Sequence, residues 1–155
     1  MLEPMNRAEI TEEIMAARLA KGLTWQELAD AVRRPVVWTT SALLGEQPIP
    51  AELAEVLVDM LGLDRSLVPR LAAVPMRGAG SPPVPTDPTI YRLHEAVSVY
   101  GRAIKELIHE QFGDGIMSAI NFSVDVAKKP HPAGDRVVIT FDGKYLPYEW
   151  NSAAG

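Results

Sequence analysis

Between Val74 and Pro88 the chain reads VPMRGAGSPPVPTDP, with five prolines and two glycines in fifteen residues. Proline removes a backbone donor and fixes φ, so neither a helix nor a central strand can run through this stretch. The segment predicts an extended linker, and it constrains the fold more than any other feature. The expected organisation is a helical bundle over 1–74, a linker over 75–86 and a second domain over 87–155.

The part before the linker reads as short helices. Asn6 with Glu9, and Thr24 with Glu27, are capping-box pairs, each placed before an apolar stripe: Ile10, Ile14 and Ala17 in one, Trp25, Leu28, Ala29 and Val32 in the other. Pro35 suits the first turn of a third helix that stops at Gly45. A fourth helix is expected to bury Leu53, Val56, Leu57, Met60 and Leu61, and a short fifth spans about Leu67 to Leu71.

After the linker, Asp87 and Pro88 form an N-cap and N1 pair for one long helix, with a stripe of Leu93, Val97, Tyr100, Ile104, Leu107 and Ile108 that ends at Gly113-Asp114-Gly115. The period then changes to two. Ile120, Phe122, Val124 and Val126 alternate with polar residues, Val137, Ile139 and Phe141 do likewise, and Asp142-Gly143 reads as a turn. The fold class is therefore α+β. A helix with about two strands is a poor stand-alone unit. Its core is expected to be completed by a second subunit, or by docking on the bundle.

Composition narrows function by exclusion. The chain has 155 residues, 47% of them hydrophobic and 23% charged, as in an ordinary globular protein. It has no cysteine, which excludes thiolate metal sites and cysteine nucleophiles. His94, His109 and His131 show no metal-ligand spacing, so no metal and no cofactor are expected. Phosphate-binding glycine loops and a serine nucleophile elbow are missing. The net charge of -5 argues against nonspecific nucleic-acid binding. No leader or membrane span is expected, and the cytoplasm is the expected location.

Three polar residues are candidates for chemistry. Arg92 and Glu95, at i and i+3, share a helix face and fit either an ordinary surface ion pair or a fixed guanidinium fork for a small oxyanion. Ser118 shares the parity of Ile120 and Phe122, so its hydroxyl points to the apolar side of the strand. It fits either a structural hydroxyl bonded to a nearby backbone carbonyl or a ligand donor.

The blocks PTDPTIYRLHEAVSVYG, HEQFGDGIMSAINFSVDV and VVITFDGKYLP resemble the C-terminal half of cyanases, also called cyanate hydratases or cyanate lyases. The N-terminal half is similar more loosely, through LTWQELAD, ALLGEQPIP and PMRG, and the tail YEWNSAAG departs from the family. The resemblance implies a bundle resembling a helix-turn-helix domain, and a C-terminal domain that interlocks in a dimer. Five such dimers would form a homodecamer with active sites at subunit interfaces. It implies catalytic roles for Arg92, Glu95 and Ser118, with the Ala119 amide as a further donor. The implied reaction is bicarbonate-dependent decomposition of cyanate to ammonia and carbon dioxide through carbamate, bicarbonate being a co-substrate. The alternative is a DNA-binding regulator using TWQELADAVRRPVVWTTSALLG. Against it, residues 35–44 carry no Lys or Arg, and only Arg33 and Arg34 precede them.

Overall fold

The computed structural model describes residues 5–78 and 83–149. Its order is α1 (Arg7–Lys21), α2 (Trp25–Val32), α3 (Val36–Leu43), α4 (Ala51–Leu61), a 3-10 turn (Arg65–Leu67), α5 (Val68–Ala72), α6 (Pro88–Phe112), β1 (Gly115–Lys129) and β2 (Arg136–Pro147). The chain divides into two compact units, Met1–Ala79 with Asp125–Ile139, and Gly80–Val124 with Thr140–Gly155. The divergent tail from Trp150 onward lies outside the described residues.

Helices α1 to α5 form the bundle. Both expected capping boxes close: the Asn6 side chain accepts from the Glu9 amide and Thr24 from the Glu27 amide, while each glutamate reaches back to its cap's backbone. The bonds from Thr24 hold the Glu27 carboxyl below the usual carboxylate range. The core gathers Ile10, Ile14, Leu28, Leu43, Ile49, Leu57, Leu61 and Leu71, all within a few percent of complete burial. Pro35 caps α3 from just outside rather than occupying its first turn.

In α4 the buried stripe is Ala54, Leu57, Val58 and Leu61. Val56, expected inside, is exposed, while Leu53 and Met60 are only partly buried. Ala54, Val58 and Leu61 follow the i, i+4, i+7 row that faces the bundle, and Val56 falls off that row.

Helix α6 opens at Asp87, whose carboxylate accepts from the Thr89 and Ile90 amides at 2.9 and 3.0 Å. It closes at Gly113, where the amide bonds the His109 carbonyl and φ is 101°. None of its 25 residues is buried in the single chain. β1 and β2 form a two-stranded hairpin. Its turn lies at residues 130–135, with Gly134 at φ 119° bonding the His131 carbonyl and Lys128 pairing with Asp135 at 3.3 Å.

Asp142-Gly143, read from sequence as a turn, instead lies inside β2. Gly143 is there because the strands approach closely. A Cβ on it would stand 2.5 Å from Met117 Cγ and 2.6 Å from the Ser118 carbonyl oxygen.

Candidate active site

Arg92 and Glu95 lie one turn apart on α6, and the guanidinium Nη1 donates to Glu95 Oε2 at 3.0 Å. Both side chains are at least half exposed. The carboxylate occupies one of the five N–H donors of the guanidinium, so most of the fork remains able to take an anion. The Arg92 guanidinium also stands 5.7 Å from the Tyr91 ring centroid, which restricts its swing.

Ser118 sits on β1, just after the turn out of α6. That turn is closed by His109, whose Nδ1 meets Asp114 Oδ1 and whose Nε2 meets the Gly115 carbonyl, each at 3.2 Å. The Phe112 and Tyr145 rings lie 5.2 Å apart beside it. Gly115 lies so close to the Leu146 carbonyl and Tyr145 ring that no side chain fits there. The start of β1 is thereby pinned against the end of β2, and Ser118 is carried inward to 7% exposure.

Within the single chain Ser118 lies on the covered side, as its parity predicts. Ile120 is 88% exposed, whereas Phe122 is half-buried with its ring 5.4 Å from that of Phe141. Ser118 Oγ accepts the Ile120 amide at 3.1 Å and the Asn121 amide at 3.0 Å. Successive amides of a flat strand point to opposite edges, so one oxygen reaching both requires the chain to coil at residues 118–121. Neither sequence reading of the hydroxyl included this bond pattern: it bonds backbone, but amides rather than a carbonyl. The two amides, and the close approach of Gly143, are the features that sequence reasoning missed. A serine leading out of a helix-to-strand turn was the available signal.

The structure thus pairs Arg92 with Glu95, while Ser118 makes no hydrogen bond to either within the chain. A recess of about 360 Å³ lies between the end of α6 and the hairpin, but it is lined mainly by apolar groups such as Ile108, Phe112, Ile116 and Phe141 and includes none of the three. Among the described residues no group of His, Asp or Glu has the geometry of a metal site, and no helix is long and apolar enough to cross a membrane.

A bundle of short helices followed by one long helix and a two-stranded hairpin defines an α+β protein of two parts, as expected from the sequence. The chain belongs to the cyanate lyase family. The cyanate hydratase N-terminal domain family matches residues 7–75, and the cyanate lyase C-terminal domain family matches residues 82–150. The chain is 71% identical over 153 residues to a cyanate hydratase of Mycobacterium avium, covering 99% of each chain. It is 52% identical over 144 residues to a cyanate hydratase of Pseudomonas savastanoi pv. phaseolicola, covering 92% of each. A crystal structure of cyanase from T. urticae aligns with a TM-score of 0.79 at 39% identity, over 88% of this chain and 96% of that one.

Proposed function

We propose that the protein decomposes cyanate, with bicarbonate as co-substrate, to ammonia and carbon dioxide. The observation that carries the reading is near-complete coverage, at 71% identity, by a relative named cyanate hydratase. The site chemistry is compatible with it. Bicarbonate oxygen attacks the cyanate carbon, the adduct loses carbon dioxide, and the remaining carbamate takes up protons and breaks into ammonia and a second carbon dioxide. Overall, one cyanate, one bicarbonate and two protons become one ammonia and two carbon dioxide.

The physical obstacle is the approach of two anions. Fixed cationic and hydrogen-bonding groups lower that barrier without a covalent intermediate. Arg92 orients the anions with its unoccupied donors, Glu95 holds the fork in place, and Ser118 donates to one substrate oxygen, with the Ala119 amide as a further donor. The reaction uses no metal or organic cofactor, and the enzyme works in the cytoplasm. The assembly is a homodecamer of five dimers with active sites at subunit interfaces. Two features support shared sites: α6 buries none of its residues within one chain, and Ser118 does not reach Arg92 there. The regulator reading finds no support in the relatives, and α3 offers no cation for a phosphate backbone.

The test is release of ammonia and carbon dioxide from cyanate, with and without added bicarbonate in carbonate-depleted buffer. Turnover that rises with bicarbonate to saturation is expected. Turnover indifferent to it would sink the mechanism.

A further inference from the structure

The buried hydroxyls of this chain are not all used alike. Thr39, fully buried, donates to the Pro35 carbonyl four residues back at 3.0 Å, and the half-buried Thr11 and Thr40 and the exposed Ser98 make the same kind of bond. Ser118 is the reverse case. Its oxygen accepts from the Ile120 and Asn121 amides, and among the described residues its own proton is donated to nothing. A serine hydroxyl has two lone pairs and one proton, so both acceptor positions are occupied and the donor position is unspent. Buried polar groups are rarely left this way.

We propose that the backbone amides of Ile120 and Asn121 are a positioning pair, fixing Ser118 as a donor and nothing else. The inference rests on the reading that Ser118 serves the anion site, and adds how its role is set. With both lone pairs engaged, the oxygen is a poor base and a poor nucleophile. Accepting two N–H bonds also polarises the O–H toward donation. The position therefore suits a deprotonated oxygen, as on bicarbonate, cyanate or carbamate, and disfavours an isostere that presents an N–H or O–H to it.

The chain contains no cysteine, so Ser118→Cys installs a single thiol whose titration can be followed by thiolate absorbance in the full-length assembled protein. Burial alone raises a thiol above its ordinary pKa of about 8.5, whereas two amides aimed at the sulfur lower it, so the two accounts differ in sign. The expected result is titration at least one unit below about 8.5, persisting in Ser118→Cys/Arg92→Gln. A thiol titrating at or above that value, or lowered only while Arg92 is present, overturns the amide pair. The underlying reading has its own readout. Ser118→Ala is expected to lose at least tenfold in kcat/KM; unimpaired turnover there overturns the role of Ser118 itself, whatever the thiol does. Impaired Ser118→Ala with a high-pKa thiol overturns the amide pair alone.

Discussion

Gly143 of β2 backs directly onto Ser118 of β1: a Cβ at position 143 would stand 2.6 Å from the Ser118 carbonyl oxygen, 2.5 Å from Met117 Cγ and 3.0 Å from Phe122 Cδ2. A backbone oxygen cannot move aside as a flexible side chain can, so a methyl group there must push the coiled part of β1 away. Gly143→Ala is expected to cost about 1–3 kcal/mol by overpacking. It is also expected to lower kcat/KM at least tenfold, because the residue displaced is Ser118. Thermal unfolding and steady-state kinetics on the same preparation check both. Normal kinetics with a lowered Tm would separate the packing role from the site.

Arg92→Lys keeps the charge and loses the planar fork. The ammonium can still reach Glu95, but it cannot hold that carboxylate and present two parallel donors to an oxyanion. Loss of one charge-assisted bond contributes roughly 1.5–3 kcal/mol, or about one to two orders of magnitude in kcat/KM. The loss is expected mainly in the dependence on bicarbonate, whose oxygens match the fork. Substrate-velocity curves for each anion, varied separately, measure it.

These two positions show how differently parts of the fold and site could be read from sequence. The caps at Asn6 and Thr24 were legible because a capping box is local: four consecutive residues contain the whole bond pattern. The pairing of Arg92 with Glu95 was legible for the same reason. Gly143 was not, because Asp-Gly is a turn signal only when nothing across the sheet needs the space, and the carbonyl of Ser118 lies some twenty-five residues away in sequence. Ile120 is 88% exposed in the single chain, like the stripe on α6, and what covers either is not written in the local pattern. The resemblance supplied the chemistry; spacing alone left Ser118 open between two uses.

The stripe on α6 was legible, but its partner was not. Val97 and Ile104 are 60% and 50% exposed in the single chain, on a helix with no buried residue. Such a run of apolar surface is costly to leave in water. Val97→Glu and Ile104→Glu are each expected to reduce the particle size seen by light scattering. Because the site is read as shared between subunits, turnover should fall in parallel. Far-ultraviolet circular dichroism should stay near wild type, since the bundle is untouched.

Arg7 tests the bundle independently of the site. Its guanidinium donates to the carbonyls of Arg70 at 3.1 Å, Ala42 at 2.8 Å and Gln47 at 3.4 Å, tying the start of α1 to α5, α3 and the following loop. Its Nε is buried without a partner, and burial lowers its pKa from the ordinary arginine value. The group therefore bears a desolvation cost offset by carbonyl oxygens rather than by a carboxylate. Arg7→Met keeps much of the apolar stem but leaves those carbonyls short of donors, and is expected to cost about 2 kcal/mol. Arg7→Lys should recover little, because one ammonium on a shorter reach cannot span carbonyls from three separate segments. Urea unfolding midpoints at constant m-value measure both losses. A Met variant as stable as wild type would mean that relief from burying the cation outweighs the bonds it makes.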